Sequence, residues 1–236
     1  MDISIVIPVY NEATKIPKDI QEALDYFQHL QLKGEVIISD DGSKDDTISV
    51  VEQIEKKKRN VKLLRNEHQG KGSAVKAGIL EAKGEIIIFI DSGSCIPYSD
   101  VHKGVIIIEK GEADIAHASR FLPNSSIDKP KQIFRQLLSR LFRVLIPLYM
   151  GIYGRFSDTQ CGLKIYKKKV GHRIYNECIT KGFMFDIETI KRADLHSYKI
   201  KEFPIHWTAD PDSRLSASKT LFSMIKELNA IKNSIN

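Results

Sequence analysis

Apolar and polar positions along the first part of the chain follow two alternating periods. Ile3 to Val9 is a short run rich in β-branched residues, ended by the turn signal Tyr10-Asn11-Glu12, and reads as a buried strand. Residues 16–31 then place Ile20, Leu24, Phe27 and Leu30 at helical spacing. The pair recurs. A strand from Glu35 to Ser39 precedes a helix led by Asp46 and running through Val50, Val51 and Ile54. A strand from Val61 to Leu64 precedes a helix opened by Gly70-Lys71-Gly72 and carrying Val75, Ala77, Ile79 and Leu80. A fourth strand, Glu85 to Ile90, ends at Asp91. This alternation predicts an α/β fold with a mostly parallel sheet and helices on both faces. Ligands of such sheets sit at the C-terminal strand edge. Three polar clusters fall there: Tyr10-Asn11-Glu12, Asp40-Asp41 and Asp91. After residue 118 the pattern is less regular, without repeat, low-complexity stretch or Pro/Gly-rich linker, so a single domain over 1–236 is expected.

Charge changes this picture more than composition does. Residues 1–118 carry 15 basic against 20 acidic side chains, and residues 119–236 carry 21 against 10, so the net charge of +6 conceals two halves of opposite sign. The basic half favours an anionic partner or presents a solvated basic surface. It shows no nucleic-acid motif and no interleaved aromatic platforms, so no nucleic-acid partner is expected. The three cysteines, Cys95, Cys161 and Cys178, are odd in number and form no CxxC pair. That argues against a disulfide framework or zinc site and for a reducing, cytoplasmic compartment. The apolar run after Met1 is too short for a signal-peptide core, and no stretch approaches a transmembrane span.

Five segments carry candidate chemistry. Acidic residues at strand ends can bond a ribose hydroxyl or base edge, or hold a divalent ion, and can equally cap turns and helices. The capping role suits Asp45 and Asp46 better than Asp41 and Asp91, which follow buried strands. Gly70-Lys71-Gly72-Ser73 fits an ordinary turn or a helix start whose amides approach a phosphate; it lacks the Walker A spacing. The segment 119–155 holds seven basic residues and one acid, Asp128. Over 132–146 a helical projection gathers Gln132, Arg135, Gln136, Ser139, Arg140 and Arg143 on one side, with Ile133, Leu137, Leu138, Leu141 and Val144 opposite. Pro147 is expected to end this helix. It suits an interfacial position on anionic lipid, since no acids interleave the arginines, or a core position with a solvated face. Asp158, in Phe156-Ser157-Asp158-Thr159-Gln160-Cys161-Gly162, is a base or a cap. Trp207 to Lys219, with Arg214 among serines, is a diphosphate clamp or a surface loop.

Together these segments resemble the family-2 glycosyltransferases of the GT-A fold, a Rossmann-like architecture. Val6-Ile7-Pro8-Val9-Tyr10-Asn11-Glu12 looks like the family's opening strand, Asp40 to Thr47 like its DDGSxDxT element, and Phe89-Ile90-Asp91 like the strand before its metal motif. Ser119-Arg120, Asp158 to Lys164, Gly182 to Glu188 and Trp207 with Ser213-Arg214 resemble the dolichyl/polyprenyl-phosphate glucosyl- and mannosyltransferase branch. The resemblance spans residues 3–220. It implies a nucleotide-binding half, 1–118, and an acceptor-binding half, 119–236. Pro8, Tyr10, Glu12 and Asp41 would frame base and ribose. Lys71 and Arg214 would lie near the donor phosphates, and Asp91 would hold Mg²⁺ or Mn²⁺. Ser119, Arg120 and Arg135 would meet the acceptor phosphate, and Asp158 would sit at the reacting centre. One departure stands out: the family's Asp-x-Asp reads Asp91-Ser92-Gly93 here, which weakens the expectation of a metal and admits metal-independent binding.

The implied reaction is an inverting transfer of a hexose from a UDP- or GDP-sugar to a lipid phosphate. The enzyme would be peripheral at the inner membrane face, with a membrane-spanning partner protein as a further means of anchoring. Two alternatives follow from the same residues. One is transfer to a polysaccharide or other hydroxyl, with Asp158 as base. The other is a non-catalytic sugar-nucleotide-binding protein with a degenerate metal motif.

Overall fold

The computed structural model describes residues 2–128, 143–209 and 217–235, with the backbone alone over 217–222. Arg135, Arg214 and most of the expected helix over 132–146 therefore lie outside the described residues.

The first eight elements follow the alternation: β1 (Ile3–Val9), α1 (Ile16–His29), β2 (Gly34–Asp40), α2 (Thr47–Glu55), β3 (Val61–Arg65), α3 (Lys71–Glu81), β4 (Ile86–Ile90) and α4 (Tyr98–Glu109). They continue with β5 (Ile115–Ser119), β6 (Ser126–Asp128), β7 (Leu163–Lys167), α5 (Lys168–Glu177), α6 (Phe185–Leu195), β8 (Ile200–Pro204), β9 (His206–Thr208) and α7 (Ala217–Ile235). Seven strands form one sheet in the order β3-β2-β1-β4-β7-β5-β8, and β6 pairs with β9 apart from it. β1 lies parallel to both β2 and β4, while β7 runs antiparallel to both its neighbours, β4 and β5. The sheet is thus mostly parallel, with one reversed strand inserted.

Strand alternation assigns the two cores. Ile3, Ile5, Ile7 and Val9 of β1 pack with Ile16 and Ile20 of α1, Val51 of α2, and Val101 and Val105 of α4. Val6 points to the other face, with Val75 and Ile79 of α3, Ile174 of α5 and Phe185 of α6. Both faces are covered, which is why the parallel strands read as continuous apolar runs. A third cluster joins Ile146, Met150 and Ile152 to Met184 and Ile187 near α6 and to Leu228 and Ile231 of α7.

Pro147 does not end a helix. Residues 143–149 are helical, and Met150 N donates to Ile146 O at 3.0 Å. A proline removes only its own donor, so the turn after it closes normally. No helix among the described residues is long and apolar enough to cross a membrane.

Candidate active site

The C-terminal ends of β1, β2 and β4 and the start of α3 surround a cavity of about 670 Å³. Pro8, Tyr10, Glu12, Asp41, Lys71 and Asp91 all line it, so every described residue that the sequence marks for the donor meets in one place. His68, Gly182 and Phe183, together with Ser223, Met224 and Glu227 of α7, complete the wall. The sequence marked none of the α7 residues. They come from a helix more than a hundred residues away in the chain, and nothing local sets them apart.

Local chemistry explains the acidic turn. Asp40 Oδ2 accepts the amides of Gly42 and Ser43, each at 2.9 Å, and so shapes the turn. Asp41 does something different. Its Oδ1 accepts from Gln69 N and Gly70 N at 2.9 and 3.0 Å, and its Oδ2 faces His68 Nδ1 at 2.9 Å. It thereby fastens the loop before α3 to the end of β2. The His68 ring stacks on Tyr10 with centroids 4.4 Å apart, making an aromatic wall for the cavity. Asp45 braces the turn before α2 by accepting the amides of Thr47 and Ala13, while Asp46, at the N-cap position, makes no side-chain cap bond.

The Gly-Lys-Gly turn has another purpose than a phosphate cradle. Gly72 N donates to Gly182 O and Ser73 N to Lys181 O, both at 3.1 Å, so these amides are already used. A Cβ on Gly70 or Gly72 would lie 2.6 or 2.7 Å from the carbonyl oxygens of Lys181 and Gly182. The glycines serve close packing of α3 on the 180–182 loop, and Lys71 is what the turn offers to the cavity. We expect Gly72→Ala to cost about 1–3 kcal/mol by overpacking against backbone. Urea denaturation would read this as a lower midpoint with an unchanged slope.

Beneath the cavity lies a chain of alternating charges. Lys71 Nζ sits 2.6 and 2.8 Å from the two oxygens of Asp91. Lys164 of β7 pairs with Asp186 of α6 and also donates to Cys161 O at 2.9 Å. Lys164 and Asp186 are 1% and 6% exposed, so neither ion has solvent to fall back on. Burial raises the Asp186 carboxyl pKa, against the opposing pull of Lys164 and Lys71. Asp91 is also fixed by its backbone, since its N donates to Gly162 O at 2.8 Å. A Cβ on Gly162 would fall 2.1 Å from Asp91 Oδ2, so this position has no room for a side chain. Burial pushes the Cys161 thiol up to about 12, which makes it an inert core group.

A second polar centre stands at the end of β5. Arg120 Nε and one terminal nitrogen reach the two oxygens of Asp158 at 2.7 and 3.0 Å, a bidentate pair. Burial alone would raise the Asp158 pKa, but the Arg120 guanidinium outweighs it and holds the carboxyl below its ordinary range. Glu202 of β8 accepts the amides of Ser157 and Asp158 at 3.0 and 3.1 Å, a role the sequence did not signal. Trp207 and Phe121 rings lie 5.4 and 5.6 Å from the Arg120 guanidinium. Ser119 is fully buried, with its hydroxyl 2.6 Å from that of Ser157, so it supports this centre from below and presents nothing to a ligand. Burial first, and the Lys164 ammonium second, hold His117 well below its usual pKa and therefore neutral.

Residues 4–170 match the glycosyl transferase family 2. The chain belongs to that family, and it is a glycosyltransferase of the GT-A fold. It is 32% identical to the dolichyl-phosphate beta-glucosyltransferase of Homo sapiens, covering 98% of this chain and 74% of that one. The enzyme of the same description from Saccharomyces cerevisiae is 29% identical over the same shares of the two chains. Among solved structures, glucosyl-3-phosphoglycerate synthase from Mycobacterium tuberculosis, in complex with Mn²⁺, uridine diphosphate and glucosyl-3-phosphoglycerate, superposes with a TM-score of 0.70. It is 18% identical, covering 99% of this chain and 79% of that one. The same synthase is also solved with Mg²⁺ and uridine diphosphate.

The residues at 91–95 do not fit the two-carboxylate metal cradle that the resemblance implies. Gly93 has no side chain, and its amide donates to Asp19 Oδ2 of α1 at 2.9 Å. Ser94 Oγ donates to Asp19 Oδ1 at 2.8 Å. Among the described residues no group of three or more His, Cys, Asp or Glu side chains is arranged to hold a metal.

Proposed function

We propose that this glycosyltransferase moves a hexose from a nucleoside-diphosphate sugar to a polyprenyl or dolichyl phosphate, with inversion, at the cytoplasmic face of a membrane. Residues 1–118 supply most of the donor site, which Gly182, Phe183 and the α7 residues complete, and the rest of 119–236 supplies the acceptor site. The observation that carries this reading is the Arg120–Asp158 pair. A general base needs a pKa near the working pH and a free lone pair. Asp158 has a depressed pKa and both oxygens on a guanidinium. A hydroxyl acceptor would need that base, whereas a phosphate oxygen is already ionised and attacks without one.

The step balances simply. An acceptor phosphate oxygen forms a bond to the anomeric carbon as the bond to the donor's β-phosphate oxygen breaks. The bonding pair leaves with the nucleoside diphosphate, and no proton moves. Tyr10, His68 and the residues around them hold the nucleotide, and Lys71 meets its phosphates. Arg120 retains N–H donors beyond those on Asp158 and offers them to the acceptor phosphate.

Surface chemistry supports a lipid acceptor. Leu145, Leu148, Tyr149 and Tyr153 are 45–60% exposed while Ile146, Met150 and Ile152 between them pack inward. Lys232 lies 4.6 Å from the Tyr149 ring, and Arg155 is half exposed nearby in the chain. Apolar side chains rimmed by cations suit an anionic bilayer surface.

The test offers labelled UDP-glucose or GDP-mannose together with polyprenyl phosphate in vesicles, or with a soluble oligosaccharide. Label is expected in the lipid fraction. Transfer to the oligosaccharide with none to lipid would overturn the acceptor assignment.

A further inference from the structure

Four carboxylates line the donor cavity, Glu12, Asp41, Asp91 and Glu227, and each is already engaged. Lys15 stands 3.5 Å from Glu12. Asp41 holds two amides and His68. Glu227 accepts from Gly182 N and Met184 N, at 2.6 and 3.1 Å, at the start of α6. Asp91 Oδ2 accepts from Lys71 Nζ at 2.8 Å, while Oδ1, buried and without a hydrogen-bond partner, lies 2.6 Å from the same ammonium. A hard divalent cation needs several oxygens turned toward one point. Here Gly93 and Ser94 bond to Asp19, and Cys95 Sγ lies 3.7 Å from Gly93 O. A thiol is a poor ligand for Mg²⁺ in any case. An ion at Asp91 would also have to displace Lys71. The freed ammonium would find the adjacent Asp186 already paired with Lys164.

We propose that the Lys71 ammonium, held against Asp91, supplies the charge that meets the donor's diphosphate, and that nucleotide binding by this chain does not require a divalent metal ion. An ammonium has three donors. One serves Asp91 Oδ2, which leaves two for phosphate oxygens in the cavity that Lys71 lines. This inference rests on the assignment of that cavity to the donor.

Calorimetric titration of UDP and GDP into the full chain tests it, in EDTA and in Mn²⁺, with wild type, Lys71→Met and Lys71→Arg. For the nucleotide that binds, affinity in EDTA should lie within about threefold of that in Mn²⁺. Lys71→Met should weaken binding about 10- to 100-fold, the worth of one charge-assisted hydrogen bond, and Lys71→Arg should recover much of it. Mn²⁺ titrated alone into wild type should keep the paramagnetic resonance spectrum of the free ion, a readout that needs no folded variant. Binding that appears only with Mn²⁺, or that Lys71→Met leaves intact, overturns the inference. Failure of both nucleotides under every condition overturns the donor assignment instead, and the inference falls with it.

Discussion

Replacing Lys164 by methionine is expected to lower stability by about 3–5 kcal/mol, because it strands the buried Asp186 carboxylate. Methionine fills nearly the same volume, so the loss is electrostatic rather than a cavity. The double variant Lys164→Met/Asp186→Leu should recover most of it, since a buried ion pair replaced whole by apolar groups is often neutral. The pH dependence separates the causes. Burial already raises the Asp186 pKa, and removing Lys164 raises it further. The stranded group therefore takes up a proton as pH falls, and the deficit of the single variant shrinks toward acid. Urea titrations at neutral and acidic pH would show this. A pH-independent deficit would mean that packing, not charge, was lost.

Arg120→Lys is expected to cut transfer to polyprenyl phosphate by at least about 100-fold while the protein stays folded. Lysine keeps the charge near Asp158 but cannot grip two carboxylate oxygens and a phosphate at once. Asp158→Asn tests the same centre from the other side. If Asp158 only positions Arg120, the pH–rate profile of the Asn variant keeps its shape. Both profiles should rise through about pH 6, the second ionisation of a phosphate monoester. A loss of about 10³-fold or more with unchanged nucleotide affinity would instead make Asp158 a base and restore the hydroxyl-acceptor reading. For stability the sign is that of a depressed acid. The pair's contribution is complete above the unfolded carboxyl pKa of about 3.9 and is lost as pH falls through the lower folded value.

β1, β2 and β4 were legible because both their faces are buried, and the edge strand β3 because of its apolar residues Val61, Leu63 and Leu64. β1 runs from Ile3 to Val9 as expected, and β2 and β3 extend the expected ranges only by a residue at their ends. β5, β7 and β8 were not legible, for a physical reason. Each carries a polar group inside the fold or against it: His117, Lys164 and Glu202. Lys164 and Glu202 find their partners on other elements, so periodicity along one strand cannot reveal them. The polar lining of the cavity was readable because Tyr10, Asp41 and Asp91 follow strands directly, at the edge where parallel sheets bind ligands. The amides of the Gly-Lys-Gly turn were misleading for the converse reason. Their neighbours at 181–182 are remote in sequence, and only the folded chain shows that the space is filled.

The reversed strand β7 has a consequence for how the molecule is made. It separates β4 from β5, although residues 86–119 are synthesised long before residue 163. Until β7 arrives, the β4 edge that it will cover stands open, with its amides and carbonyls available to any passing strand. A nascent chain that has reached β5 but not β7 therefore carries an open strand edge that can pair with other chains. A break in translation between β5 and β7 would release a sticky half-sheet rather than a small working domain.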